Sequence, residues 1–262
     1  MEIAKIGIWT RGLQGDDCYQ VIREGLEMWY THIDTASHYQ NEEMIWKAVC
    51  DSGIPRKKVW ITTKIWRDDY ERIQEACDES LQRLKTDYLD LLLLHWPTNR
   101  LEEHRRIFEQ LLVLQQIGKV KKIWVSNFTI SQIQDLLSFF GCEIFANEIE
   151  YHPCLSQEKM RSFCNSQGIK LIAYSPLGHG NLLNLPSLQQ LASKIGISCS
   201  QLCIAYLLQK WAIVIPKTRS KQRLQENLLA QNLVLSDEVM ETLEQLPKHY
   251  RYINPPFAPQ WD

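Results

Sequence analysis

Tyr88–Pro97 reads YLDLLLLHWP, with four consecutive leucines at Leu91–Leu94, Asp90 just before them, and an abrupt change to His95, Trp96 and Pro97. The run is far too short to span a bilayer, which takes about 20 apolar residues. A short apolar run that stops at polar punctuation reads as a strand buried on both faces, as in parallel sheets covered by helices. Runs of the same kind recur at IAKIGI (3–8), THID (31–34), KVWITT (58–63), KKIWVS (121–126), EIFANE (143–148), KLIAYS (170–175) and AIVIP (212–216). With YLDLLLL (88–94) they make eight candidate strands.

Between these runs lie segments with helical spacing. Cys18, Val21, Ile22, Gly25 and Leu26 form one apolar face, and Asp16 and Asp17 precede it where a helix N-terminus favours negative charge. Thr129 is a natural cap for ISQIQDLLSFF. Alternation of strand and helix over the whole length, with eight units, predicts an α/β fold, a closed (β/α)8 barrel in preference to an open doubly wound sheet. No linker or shift in composition divides the 262 residues, so a single domain over 1–262 is expected. The tail from Pro247 to Asp262, with Pro255, Pro256 and Pro259, is expected to lie over the barrel surface or mouth without regular helix.

Composition narrows the partners. A 45% hydrophobic and 23% charged chain with a formal net charge of −2 has no basic stretch for a nucleic-acid backbone. The start, MEIAKIGIWT, shows neither signal peptide nor anchor, so a cytoplasmic protein without membrane association is expected, acting as a monomer. The eight cysteines, Cys18, Cys50, Cys77, Cys142, Cys154, Cys164, Cys199 and Cys203, are scattered and read as free thiols in or near the core. With no CxxC pair and no HExxH, no metal site is expected.

In such a barrel the chemistry gathers where the strands end. Asp34 follows THI, Lys64 follows WITT, His95 follows DLLLL, Ser126 and Asn127 follow KKIWV, Glu148 follows EIFAN, Tyr174 follows LIA and Lys217 follows VIP, with Tyr39 on the loop after Asp34. Singly, Asp34 reads equally well as a helix cap, Lys64 as a solvated strand end and His95 as a satisfied core histidine. Together on one rim, Tyr39, Lys64, Asp34 and His95 make a proton-transfer unit for a carbonyl group. A phenol of pKa about 10 needs a neighbouring ammonium to draw it down, the ammonium needs an anion, and a histidine orients the carbonyl oxygen. Electrons must come from a cofactor, and GxGxxG is absent. Lys217, Thr218, Ser220 and Arg223, at a strand end and helix start, suit an extra phosphate, although the same stretch also reads as a solvated basic helix start.

These motifs resemble a known family. HIDTASHYQNE, VWITTKIW, YLDLLLLHWP, VSNF, NEIEYHP, AYSPLG, IPKTRSKQRLQENL and the terminal PPFAPQWD are similar to segments of the aldo-keto reductases, most of all the small bacterial members akin to diketogluconate and methylglyoxal reductases. The resemblance implies a (β/α)8 barrel that reduces aldehydes or ketones by hydride transfer from NADPH. It makes Tyr39 the general acid, Lys64 its pKa-lowering neighbour, Asp34 the ion partner of the lysine and His95 the group that positions the carbonyl. It places Thr10, Ser126, Asn127, Glu148, Tyr174, Ser175, Leu177, Lys217, Thr218, Ser220, Arg223, Glu226 and Asn227 against the cofactor. Within that set Ser126 and Asn127 meet the carboxamide, Tyr174 stacks on the nicotinamide, Ser175 and Leu177 line the pyrophosphate, Lys217, Thr218, Ser220 and Arg223 grip the 2′-phosphate, and Glu226 and Asn227 lie near the adenine. Trp66 and Trp96 become apolar walls of a pocket for a small carbonyl substrate. A catalytically impaired NADPH-binding or redox-sensing barrel is the alternative.

The sequence departs from the family in three ways. Glu148 stands where many relatives carry glutamine, and an ionised carboxylate cannot donate a hydrogen bond. The usual N-terminal hairpin is missing, which leaves apolar surface at the barrel floor to be exposed. Trp9, Trp29, Trp46, Trp124 and Trp211 occupy family glycine positions, whereas Trp60, Trp66, Trp96 and Trp261 stand where aromatics are accepted. An indole at a positive-φ or tightly packed glycine position is strained or overpacked. The expectation is that these five are glycine in the living protein, because UGA is read as glycine in some bacteria and as tryptophan in others.

Overall fold

The computed structural model describes residues 2–98, 100–141 and 144–262. Cys142 and Glu143, the first residue of the expected EIFANE strand, lie outside the described residues.

Eight strands alternate with helices along the chain: β1 Ile8–Trp9, α1 Gly15–Glu27, β2 His32–Asp34, α2 Glu42–Ser52, β3 Trp60–Ile65, α3 Ile73–Arg83, β4 Leu89–Leu94, α4 Leu101–Gln116, β5 Val120–Ser126, α5 Ile130–Phe140, β6 Ala146–Glu150, α6 Glu158–Ser166, β7 Lys170–Tyr174, α7 Pro186–Lys194, α8 Cys199–Gln209, β8 Ile213–Ile215, α9 Lys221–Leu229 and α10 Asp237–Glu244. Each strand pairs in parallel with the next in chain order. Closure joins the last strand to the first: Ile6 bridges Val214, the Gly7 amide donates to the Val214 carbonyl at 2.9 Å, and the Trp9 amide donates to the Pro216 carbonyl at 3.1 Å. The expected (β/α)8 barrel is the observed architecture.

Local chemistry explains the elements. α1 buries Cys18, Val21, Ile22, Gly25 and Leu26 and carries Asp16 and Asp17 in its first turn. α5 begins at Thr129, which accepts from the Gln132 amide in a reciprocal capping box. All six residues of β4 are buried, because helices cover its outer side and other strands' side chains its inner side. Two boundaries differ from the sequence reading. Where IAKIGI was expected to form a strand, only Ile8 and Trp9 carry the regular ladder, since the earlier residues contact the sheet through the single Ile6 bridge. β6 runs on to Glu150, whose carboxylate accepts from the amides of Tyr252 and Ile253 and thereby pins the tail.

The expected exposure at the barrel floor is not observed. Ile3 and Trp60 are buried there, and Phe145 stacks between Trp60, at 6.3 Å, and Trp124, at 4.9 Å. Seven described cysteines are free thiols, five of them buried; Cys50 is exposed and Cys199 half-buried. No single helix among the described residues is long and apolar enough to cross a membrane.

Candidate active site

The strand ends place the four expected catalytic side chains together. Asp34 ends β2, Lys64 lies near the end of β3, His95 follows β4, and Tyr39 closes a short 3₁₀ turn at Ser37–Tyr39 after β2. Lys64 Nζ donates to Asp34 Oδ1 and to the Thr35 carbonyl at 3.0 Å, and lies 3.3 Å from Glu148 Oε1. The same ammonium is 5.6 Å from the centroid of the Tyr39 ring, whose other neighbour, the His95 imidazole, meets it edge-on at 5.7 Å. All five side chains are buried. Burial of an ammonium with two carboxylates costs several kcal/mol per ion before pairing, so a cluster of this kind on a barrel rim marks chemistry rather than stability.

Electrostatics divide the roles. Burial lowers the Lys64 ammonium, but Asp34 and Glu148 raise it further, so Lys64 stays charged. Burial and the neighbouring Asp34 carboxylate push Glu148 well above its ordinary 4.5. Asp34 is also raised by burial, against the downward pull of Lys64. Burial disfavours the anionic form of both carboxyls, against the pull of Lys64; in its protonated form Glu148 has the O–H donor that a carboxylate lacks beside glutamine. The expected lowering of Tyr39 is not observed: Lys64 does pull the phenol down, but burial outweighs it and Tyr39 is pushed up to about 12. Burial, with Lys64, holds His95 well below 6.5, so its imidazole is neutral.

Next to the tetrad, the Asn127 side chain donates to the His95 carbonyl and to Ser126 Oγ, both at 3.0 Å, and accepts from Tyr174 OH at 2.7 Å. Ser126 Oγ donates to the Glu148 carbonyl at 3.0 Å. Asn127 holds this position with a left-handed φ of 64°. Thr10 is buried, its hydroxyl donating to the Asp34 carbonyl at 2.9 Å.

Two cavities open on this rim. The first, about 550 Å³, is walled by Tyr39, His95, Trp66, Trp96, Asn127, Glu148 and Tyr174. The tail supplies its lid through Tyr252, Ile253, Asn254, Pro255 and Phe257, with Phe257 edge-on to Trp66 at 5.9 Å and to Trp96 at 5.5 Å. The second, about 530 Å³, is lined by Ser175, Leu177, Lys217, Thr218, Arg223, Glu226 and Asn227. Ser126 and Thr10 line neither, and Ser220 instead caps α9 by accepting from the Arg223 amide. Sequence reading missed Arg11, Gly12 and His179, which border both cavities, and Ser198, Cys199 and Ser200, which border the second. Only the serine cap before the apolar α8 run signalled that last group.

A nicotinamide dinucleotide meets these walls in two parts. The second cavity suits a phosphate-rich end: Lys217 and Arg223 are cationic, and the buried Ser175 Oγ is without a partner among the described residues. The first end does not fit, because the indole of Trp9 is stacked on Tyr174 with centroids 5.6 Å apart and planes at 27°.

The Aldo/keto reductase family model matches residues 4–248, and the chain belongs to that family of oxidoreductases, which use nicotinamide cofactors. It is 36% identical over 239 residues to the glyoxal reductase of Bacillus subtilis (strain 168), a match covering 90% of this chain and 86% of that protein. With the glycerol 2-dehydrogenase (NADP(+)) of Saccharomyces cerevisiae it shares 32% identity over 291 residues, covering 98% of this chain and 93% of the relative. The crystal structure of an aldo-keto reductase from a Medee basin deep-sea metagenome library superposes with a TM-score of 0.93 at 31% identity, over 99% of this chain and 96% of that one. Family and relatives favour a reductase over an impaired binding barrel.

Proposed function

We propose that the protein reduces small, activated aldehydes and ketones, of the glyoxal and methylglyoxal kind acted on by its relatives, to alcohols with NADPH. The observation that carries this reading is the convergence of Tyr39, Lys64, Asp34 and His95 at one aromatic-walled cavity.

Tyr39 is the proton donor to the carbonyl oxygen. Its phenol keeps its proton throughout the neutral range, so the group is an acid held ready rather than a phenolate. As charge develops on the phenol oxygen during transfer, the Lys64 ammonium stabilises it, and Asp34 fixes the ammonium in place. His95, kept neutral, hydrogen-bonds the carbonyl oxygen and sets its angle to Tyr39. Trp66, Trp96 and Phe257 wall a cavity with room for a small carbonyl. These side chains carry protons and no electrons; the reduced nicotinamide supplies the hydride when bound.

Lys217 and Arg223 support a preference for the 2′-phosphate of NADPH, with Thr218 beside them. With Tyr174 freed from the Trp9 indole, Glu148 and Asn127 would be the polar groups for the nicotinamide end, and Ser175, beside the apolar Leu177, would face the pyrophosphate. Residues 1–262 act in this reading as one domain and as a monomer. Following NADPH absorbance with methylglyoxal in a chain carrying Trp9→Gly tests the reading: consumption dependent on Tyr39 supports it, and consumption unchanged in Tyr39→Phe removes it.

A further inference from the structure

Trp9 stands between the two cavities and borders both. Besides its stack on Tyr174, its indole meets His179 edge-on at 6.3 Å, lies 5.8 Å from the Arg11 guanidinium, and donates its Nε1–H to the Tyr39 hydroxyl at 3.2 Å. One side chain thus covers the ring of Tyr174, takes a lone pair of the proton-donating phenol, and separates the cationic cavity of Lys217 and Arg223 from the catalytic one. With no side chain at position 9 the two cavities become one trough running from Arg223 to His95.

Two other tryptophans are misplaced for a different reason. Trp29 follows α1 with φ 70° and Trp211 follows α8 with φ 64°, in the left-handed region that costs an L-residue about 1–2 kcal/mol. Both close their helices with the same pair of bonds. The Trp29 amide donates to Leu26 and the Tyr30 amide to Gly25; the Trp211 amide donates to Leu208 and the Ala212 amide to Leu207. The chain makes this closure elsewhere with glycine: Gly168 after α6, at φ 68°, and Gly196 after α7, at φ 71°, with the same spacing of donors and acceptors. The indoles at 29 and 211 are 81% and 84% exposed, so no packing offsets the strain.

Trp124 is a weaker case. It is fully buried inside the barrel, stacked on Phe145 at 4.9 Å, and like Trp60 it leaves its Nε1–H unpartnered among the described residues; a buried donor without an acceptor costs about 1–3 kcal/mol. Trp46 differs from the others, lying half-buried on α2 against the core in ordinary helical geometry.

We propose that the working protein carries glycine at positions 9, 29, 124 and 211, through a codon read as tryptophan in one genetic code and glycine in another, and that glycine at 9 opens the continuous trough in which Tyr174 receives a nicotinamide ring. Two unrelated misfits, the covered Tyr174 ring at 9 and the left-handed strain at 29 and 211, are removed by one replacement. The ligand in this proposal rests on the reductase reading.

Two measurements test it. Peptide mass spectrometry of the protein from its own source, over Ile6–Arg11 and Trp211–Lys217, is expected to find glycine at 9 and 211; tryptophan at both overturns the decoding. Calorimetric titration with NADPH then compares a chain carrying Trp29→Gly, Trp124→Gly and Trp211→Gly with one that also carries Trp9→Gly, both checked for folding by circular dichroism. At least tenfold tighter binding in the second chain is expected. Equal affinity, or binding by neither, overturns the role of position 9. Tighter binding without turnover of methylglyoxal supports the trough and counts against the reductase reading.

Discussion

Lys64 and Glu148 lie 3.3 Å apart, fully buried, with the Asp34 carboxylate on the same ammonium. One cation faces two acids, and burial together with the Asp34 carboxylate raises Glu148 above its ordinary 4.5. That gives Glu148 a dependence of stability on pH that a glutamine would lack. Because its pKa is raised above the ordinary 4.5, the stabilisation from the bound proton is full below that value and is lost as pH rises toward the folded-state value. Glu148→Gln is therefore expected to keep activity within a few-fold while gaining stability relative to the parent as pH rises from 5 to 8, at up to about 1.4 kcal/mol per pH unit. Urea unfolding at both pH values measures this; a difference that does not change with pH contradicts it.

Removing the cation has the opposite consequence. Lys64→Met leaves Asp34 and Glu148 buried together without a counter-charge, and breaking a buried pair from one side costs about 3–5 kcal/mol. A lower melting temperature should accompany loss of turnover, with part of the stability regained in Lys64→Met combined with Asp34→Asn. Additive losses in the double variant would show that the two residues are not coupled.

The pH profile of reduction should be flat from about pH 6 to 9 as far as the proton donor and the orienting imidazole are concerned. Tyr39 sits at about 12 and His95 well below 6.5, so neither changes charge in between. An inflection near pH 6.5 that disappears in His95→Asn would contradict this assignment.

At the far end of the trough, Arg223→Ala in the Trp9→Gly chain is expected to weaken NADPH roughly tenfold or more, in keeping with a charge-assisted bond, and to leave NADH nearly unchanged. Parallel titrations with the two nucleotides report it, and equal losses for both would place Arg223 away from the 2′-phosphate.

Single replacements at the helix ends give an internal control. Trp29→Gly and Trp211→Gly should each raise stability by about 1 kcal/mol through relief of left-handed strain, whereas Trp46→Gly, in regular helix and packed on the core, should lower it by at least 0.5 to 1 kcal/mol. Denaturant midpoints of the three variants decide the matter. A loss at 29 and 211 as large as that at 46 would mean that the indoles fit where they stand.

The parts of the molecule legible in the sequence are those governed by local pattern. Apolar runs such as Leu89–Leu94 are buried throughout, and the polar residue that ends each run falls on one rim because parallel strands all point the same way. The face of α1 and the Thr129 cap follow from residues within a few positions of each other. What stayed hidden depends on distant segments meeting. The two-residue β1 is short because the chain before it reaches Val214 at a single bridge. The tail over the barrel mouth was legible from its prolines, but His179, and Ser198 to Ser200 at the start of α8, reach the cavities along paths no periodicity encodes. The Tyr39 phenol was misjudged for a related reason: its lysine neighbour is visible as a residue type, but the burial that outweighs it comes from the whole barrel.

The most direct test of the account follows NADPH absorbance with methylglyoxal in the chain carrying Trp9→Gly, Trp29→Gly, Trp124→Gly and Trp211→Gly, beside the same chain with Tyr39→Phe. Steady consumption in the first and a loss of roughly 10²-fold or more in the second, with NADPH affinity retained, is the expected result. Consumption that survives the loss of the Tyr39 hydroxyl would contradict it.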